Sequence, residues 1–332
     1  MRKLATVRKV SDITSIAGAD RIELAMVDGW KCVVKRGEFA TGDLVVYCEI
    51  DSFLPIKEQF EFLRKSSFKK MGDQEGFRLR TVKLRGQISQ GLLLPVEVLG
   101  REAIVGEDVT DELGIQKFEP PTPASLTGQV VGPFPASIQK TDEERIQNLV
   151  SDTPSYQGKT FYLTEKLDGT SFTAFFDNDQ LGVCGRNWQY AESKKNTYWQ
   201  MAEKLDLANR FKSLGRRIAV QGELIGPGIQ KNRYRRKEHE LYVFNIFDLD
   251  SFAYLEKSDA AELCDRLELV MVPFVEQRTA PETVDEFLQL AEGRSVLNPE
   301  TEREGLVWVH GSGSQRISFK TISNHFLARY EG

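Results

Sequence analysis

The chain is poor in the residues that build covalent or metal cross-links. It has four cysteines and three histidines in 332 residues. Cys32, Cys48, Cys184 and Cys264 are scattered and no two form a C-x-x-C pair. That spacing argues against a structural zinc site or a disulfide framework, and it makes a reducing intracellular compartment, by default the cytoplasm, the expected location. No apolar run approaches the roughly 20 residues that a membrane-crossing helix needs. The opening MRKLATVRKV lacks a long apolar core, so it does not read as a signal peptide. An excess of positive charge is missing too. The 44 Lys and Arg are outnumbered by 49 Asp and Glu, for a net charge of -5. Bulk attraction to nucleic acid is therefore not expected, although a local basic groove remains open. The 40% hydrophobic and 28% charged residues suffice for buried cores under a polar surface, and the length points to more than one domain.

Residues 1–116 read as β-rich with short turns. Alternation and β-branched residues predict strands at Ala5–Val10, Ile22–Val27, Trp30–Val34, Leu44–Cys48, Gly76–Val82 and Gly91–Pro95. Asp28–Gly29, Arg36–Gly37, Thr41–Gly42–Asp43 and Arg85–Gly86 supply the turns. So many short strands in about a hundred residues suggest a small barrel. AGADRIELAMVDG (17–29) and LRGQISQGLLLP (84–95) resemble OB-fold modules of the tRNA-binding type. The resemblance implies a domain that binds single strands or ends on a basic, partly aromatic face. Arg78 and Arg80 are the RNA-binding candidates here. Alternation puts them on one face and Lys83 and Arg85 on the other. An ordinary solvated face explains the same residues equally well.

Residues 117–140 form the expected linker. Five of the 12 prolines, Pro120, Pro121, Pro123, Pro133 and Pro135, fall here. The segment ends at TDEERIQNLV, where Thr141 and Glu144 have capping-box spacing and predict a short helix from near Asp142. Residues 141–332 then alternate strands and helices. Strands are predicted at Thr160–Glu165, Ser171–Phe176, Leu181–Gly185, Ile218–Leu224, Leu241–Phe247 and Leu306–His310. Helices are predicted at YWQMAEKLDLANRF (198–211), at SDAAELCDRLEL (258–269) with Ser258 as cap, and at PETVDEFLQLAEG (281–293). This half reads as α+β with antiparallel sheets.

The chemistry centres on TEKLDGTS (164–171), where Lys166 ends a strand. A lysine there is costly unless it has a task, and lowering its pKa would make it a nucleophile. K-x-D-G alone is weak. Its weight comes from four further motifs downstream, in chain order: VQGELIG (220–226) with Glu223, LYVFNIFDL (241–249) with Phe244, EGLVWV (304–309) with Glu304, and RISFKTIS (316–323) with Lys320. Taken singly, each is an ordinary solvated or core residue.

The set resembles the covalent nucleotidyltransferase superfamily of polynucleotide ligases and mRNA capping enzymes. The resemblance implies an antiparallel, ATP-grasp-like ligase domain with Lys166 as the nucleophile that takes AMP. Arg186 and Asn187 of CGRN match the segment that handles ribose and the RNA end. Glu223 matches motif III, Phe244 the base-stacking position, Glu304 motif IV and Lys320 motif V. Glu165, Ser171 and Arg145 complete the implied nucleotide contacts, with Arg145 a candidate for the leaving pyrophosphate. Asp168, Glu223 and Glu304 are hard oxygen donors suited to Mg2+ or Mn2+. Such an ion would also favour the deprotonated Lys166. One position departs from the pattern: Ser318 stands where motif V usually has a second lysine, and Arg316 is a partial replacement.

Only 12 residues follow Lys320, too few for the C-terminal OB domain of DNA ligases and capping enzymes. The OB-like module comes first instead, an arrangement that resembles ATP-dependent RNA ligases with an N-terminal OB domain. The resemblance implies RNA repair: AMP passes from ATP to Lys166, then to an RNA 5′-phosphate, and a 3′-OH seals the break. ATP, a divalent metal and broken or nicked RNA are the expected partners, with no membrane, and the protein is expected to be a monomer. The alternatives are a capping-type guanylyltransferase and a non-catalytic RNA-binding protein with a degenerate ligase fold. KNRYRRK (231–237) is either a mobile loop that grips RNA or a solvated charge run.

Overall fold

The computed structural model describes residues 3–119 and 130–331. In the N-terminal unit, alternation translates directly into strands. Ile22–Val27 buries every second residue and pairs antiparallel with Trp30–Lys35, Ile22 opposite Lys35 and Val27 opposite Trp30. Asp28 and Gly29, both at positive φ, form the turn. Leu44–Cys48 lies between Ala5–Lys9 and Leu92–Pro95. The predicted strand Gly76–Val82 divides in two. Gln74–Arg78 pairs with Ser52–Pro55 and Phe68–Met71, whereas Val82–Leu84 forms a separate hairpin with Gln87–Ser89. Trp30 stacks on Tyr47 at 5.4 Å in one core, and Leu54, Phe60 and Phe77 fill the other. Fully burying such a side chain contributes about 1.5–3 kcal/mol. Cys32, Cys48, Cys184 and Cys264 are free and buried.

The larger unit contains two sheets. The seven-stranded sheet has Thr170–Asp177 at its centre, between Gln180–Cys184 and Ile218–Ile225. Ile218–Ile225 pairs in turn with Glu240–Asp248. Helices Thr197–Lys204, Leu207–Leu214 and Lys257–Arg266 cover one face through Phe172, Tyr198, Met201, Phe211 and Leu263. The five-stranded sheet places Thr160–Lys166 between Phe274–Thr279 and Gly305–His310, with Ile317–Ile322 beyond. Phe161, Phe287, Trp308 and Phe319 form its core. Among the described residues no helix is long and apolar enough to cross a membrane.

Three further local expectations are corrected. Residues 142–145 are not helical: Glu144–Arg145 is a short strand parallel to Phe319–Lys320, followed by a 3-10 turn at Ile146–Asn148. Sheet pairing and the packing of Arg145 over Trp30 at 5.3 Å override the local capping pattern. The capping box that does form is Thr283 with Glu286, at the head of helix Val284–Ala291. The helix predicted over 198–211 breaks at Asp206, φ 49, which shifts the phase so that Leu207 is buried and Ala208 exposed. Ser258 is not a cap, because helix Lys257–Arg266 starts one residue earlier, after Glu256.

Part of the expected linker, Pro120, Pro121 and Pro123, lies outside the described residues. Val130–Pro133 joins the seven-stranded sheet against Trp188–Tyr190. The two units touch directly. A Cβ on Gly29 would come within 2.9 Å of Val284 Cγ1 and 3.5 Å of Gln147 Cγ. Gln90 Nε2 donates to Asn324 Oδ1 at 3.0 Å.

Candidate active site

Strand pairing assembles the centre of the site. Lys166 is the last residue of its strand and lies opposite Gly305, so Glu304 arrives beside it from 138 residues away. Lys166 Nζ donates to Glu304 Oε1 at 2.7 Å. Ser171 stands opposite Glu223 in the neighbouring sheet, and Gly169 N donates to Glu223 Oε1 at 3.1 Å. A Cβ on Gly169 would lie 2.5 Å from Leu224 O, so only glycine lets the chain turn so closely. Gly222 is required by the sheet rather than by a ligand, since its Cβ would meet Tyr242 O at 2.6 Å.

The acidic groups around Lys166 perturb one another. Burial works to lower the Lys166 pKa, but Glu304, Glu223 and Asp168 outweigh it and leave it raised. The free protein thus holds an ammonium, not the lowered-pKa amine expected of a nucleophile. Burial raises Asp168 to about 6, helped by Glu304 and opposed by Arg233. Burial raises Glu223 to about 8, opposed by Lys166 and reinforced by Glu304 and Asp168. Glu304 Oε2 is buried and, among the described residues, has no hydrogen-bond partner.

These shifts predict a stability effect. Glu223 holds its proton in the folded state up to about pH 8 against an ordinary 4.5. The stability linked to it is fully present below the ordinary value and is lost as pH rises through about 8. In metal-free buffer at pH 8, Glu223→Gln should melt several degrees above the wild type. The gap should close toward pH 5 and on adding Mg2+. A variant that melts lower at pH 8 would show that the bond to Gly169 outweighs the repulsion.

A cleft of about 100 Å3 beside this centre is lined by Lys117, Asp142, Ser171, Arg186, Asn187 and Gln221, among others. Asp142 is its hub. It pairs with Lys117, with Arg186 at 3.2 Å and with Lys320 at 3.7 Å. Burial pushes the Asp142 carboxyl upward, but Lys320, Arg186 and Lys117 prevail and hold it well below the usual carboxylate range. Asn187 is held by Glu119 and Lys140. Arg145 is 7% exposed, and among the described residues its Nε and Nη1 have no hydrogen-bond partner. A buried guanidinium with spare donors is suited to an anion.

Other candidates are spread more widely. Phe244 is half-buried beside Leu167, Ile225 and Tyr234, and Lys257 Nζ donates to its carbonyl at 2.5 Å. Glu165 is buried and accepts from Val296 N at 2.8 Å, turned toward that loop. Arg78 is engaged by Asp51 at 2.8 Å and stacked on Phe118 at 4.4 Å, while Arg80 is exposed. Arg316, the partial replacement for the lysine that Ser318 replaces, reaches the Ser318 side chain. It pairs with Glu143, bonds Ser318 and stacks on Tyr254.

Part of the run KNRYRRK is not a solvated face. Arg233 pairs with Asp168 and stacks on Phe326 at 5.2 Å and Tyr330 at 4.4 Å. Tyr234 is buried, and its hydroxyl accepts from Asp168 N at 2.7 Å. Two adjacent residues therefore grip Asp168 by side chain and backbone. The contact of Lys117 with Asp142 and those of Arg233 and Tyr234 with Asp168 are not legible in the sequence, because each joins residues at least 25 positions apart.

A family model described as RNA ligase matches residues 159–322, and one described as an OB-fold domain matches residues 4–96. No curated protein matches the chain. Solved structures of Naegleria gruberi RNA ligase are similar throughout. A lysine-to-alanine mutant with ATP and Mn is 42% identical, covering 98% of this chain and 98% of that one, with a TM-score of 0.89. A lysine-to-methionine mutant with AMP and Mn has the same identity, coverages and TM-score. The same ligase with PPi is 41% identical over 99% of both chains, with a TM-score of 0.88.

Proposed function

The chain belongs to the RNA ligase family, and from that premise we propose that it is an ATP-dependent ligase joining an RNA 3′-OH to an RNA 5′-phosphate through a lysyl-AMP and an RNA-adenylate. The observation that carries this reading is Lys166 among Glu304, Glu223 and Asp168, beside a cleft that gathers Lys117, Arg186 and Lys320. The similar ligase structures with ATP, AMP, Mn and PPi support the same cofactors here.

The carboxylates fit a divalent metal by their chemistry. Among the described residues no three His, Cys, Asp or Glu side chains form a ready metal cage. Asp168, Glu223 and Glu304 nonetheless lie close together: burial, reinforced by their mutual repulsion, raises the pKa values of Asp168 and Glu223, and among the described residues Glu304 Oε2 lacks a partner. Such a donor set suits Mg2+ or Mn2+, which keep several waters and take phosphate oxygens as further ligands. When bound, the ion would offset charge on the α-phosphate and favour the neutral Lys166.

The Lys166 ammonium first gives up a proton to solvent; the neutral Nζ then forms the bond to the α-phosphorus and releases a further proton to solvent, while the bond to pyrophosphate breaks with the electron pair leaving on the pyrophosphate oxygen. Lys320 offsets transition-state charge, and Arg145 and Lys117 are the candidates to receive the leaving group. Phe244 stacks on the base. Ser171 and Arg186 contact the nucleotide, and Asn187 the RNA end. An oxygen of the RNA 5′-phosphate then displaces Lys166 from AMP, and the 3′-OH displaces AMP from the RNA.

Incubation with labelled ATP or GTP and Mg2+ or Mn2+, followed by denaturing electrophoresis, tests the assignment. Labelling by ATP, with the label chased into sealed RNA by a 5′-phosphate nick, is the expected result. Labelling by GTP alone would identify a capping-type enzyme, and no labelling would leave a binding protein.

A further inference from the structure

Between Arg78 and Pro95 the chain has four cations and no carboxylate, in a protein of net charge -5. Arg78 is taken up by Asp51 and Phe118. Arg80, Lys83 and Arg85 are exposed and, among the described residues, enter no ion pair. Lys83 and Arg85 belong to the hairpin Val82–Leu84 and Gln87–Ser89, turned at Arg85 and Gly86 with φ 50 and 85. Successive side chains of a strand point to opposite faces, yet Val82, Lys83 and Leu84 are all exposed, Val82 at 38% and Leu84 at 43%. This strand therefore stands clear of the barrel on both faces.

The hairpin is also placed at the rim of the active site. Val82–Leu84 runs near the C-terminal turn Leu327–Glu331, and nearby Gln90 bonds Asn324. Phe326 and Tyr330 of the same C-terminal segment stack on Arg233, which pairs with Asp168, two residues from Lys166.

The geometry points to this hairpin as a clamp for double-stranded RNA beside the break, an inference that rests on the ligase reading. A single-strand platform works by stacking bases on aromatic rings. No aromatic residue occurs between Arg78 and Pro95, so the hairpin has nothing to stack on. It offers cations for phosphates, and small aliphatic and amide groups for the sugar edge. The wide, shallow minor groove of an A-form duplex presents those features, and it is recognised by shape and 2′-OH contacts rather than by sequence.

The test is the double variant Lys83→Ala/Arg85→Ala in the full chain, with its melting temperature compared with the wild type. Labelling by ATP should stay within about twofold of wild type, because neither residue touches the nucleotide site. Binding to a nicked RNA duplex at about 0.1 M salt should weaken tenfold or more. The slope of log K against log salt should fall by about 0.9 for each phosphate contact removed. Binding to a single strand of equal length should not change. Unchanged duplex binding and salt slope would overturn the clamp, and so would an equal loss on single-stranded RNA. A wild type that binds duplex through these residues but never labels with ATP would instead overturn the ligase reading.

Discussion

Lys166→Ala should form no covalent AMP and seal no 5′-phosphate nick, while still sealing RNA that has been adenylylated beforehand. Among the described residues, Lys166 is the one amine placed among Asp168, Glu223 and Glu304 at the end of its strand. No neighbouring group replaces it: the Lys320 ammonium lies with Asp142, and Arg233 is locked on Asp168. A guanidinium is in any case no nucleophile at neutral pH. Removing Lys166 leaves three carboxylates without their cation, so the variant should also be less stable above about pH 8 without metal, where Glu223 ionises. Sealing of pre-adenylylated RNA separates lost chemistry from lost folding, because a misfolded protein would do neither. Undiminished labelling of the variant would refute Lys166 as the nucleophile.

Glu304→Gln should reduce self-adenylylation by at least about a hundredfold, and here two effects oppose each other. Glu304 accepts from Lys166 at 2.7 Å and raises its pKa, so neutralising it should release the proton more easily and help the attack. The same change removes a carboxylate that would hold the metal. A lost transition-state interaction of about 3 kcal/mol alone corresponds to about a hundredfold in rate. The loss should win, because the bound metal also favours the neutral amine, and more metal should recover part of the rate. A variant with near-normal or faster labelling would restrict Glu304 to holding the resting ammonium.

The readable part of the fold was the part written in short periods. Ile22–Val27 and Leu44–Cys48 have the predicted bounds, because alternation reports burial on a sheet face. Misreadings arose where a local pattern competed with a distant partner. Thr141 and Glu144 have the spacing of a capping box, but pairing with Phe319–Lys320 extends the chain at Glu144–Arg145. The stripe from Tyr198 to Phe211 has helical spacing, but the left-handed Asp206 splits it.

The sequence by itself determined the motif residues and their order: Lys166, Asp168, Glu223, Phe244, Glu304 and Lys320 each sit in or beside a strand that composition and alternation make legible. Only the tertiary structure decided which charges face each other. It set Lys166 against Glu304 across 138 residues, brought Lys117 to Asp142, paired Arg316 with Glu143, and held a largely buried Arg233 on Asp168 inside a run that reads as solvated. Strand formation depends on neighbours a few residues apart, so it leaves a periodic trace. A buried ion pair forms because two distant groups lose water together and must satisfy each other, and nothing in the spacing of either group names its partner.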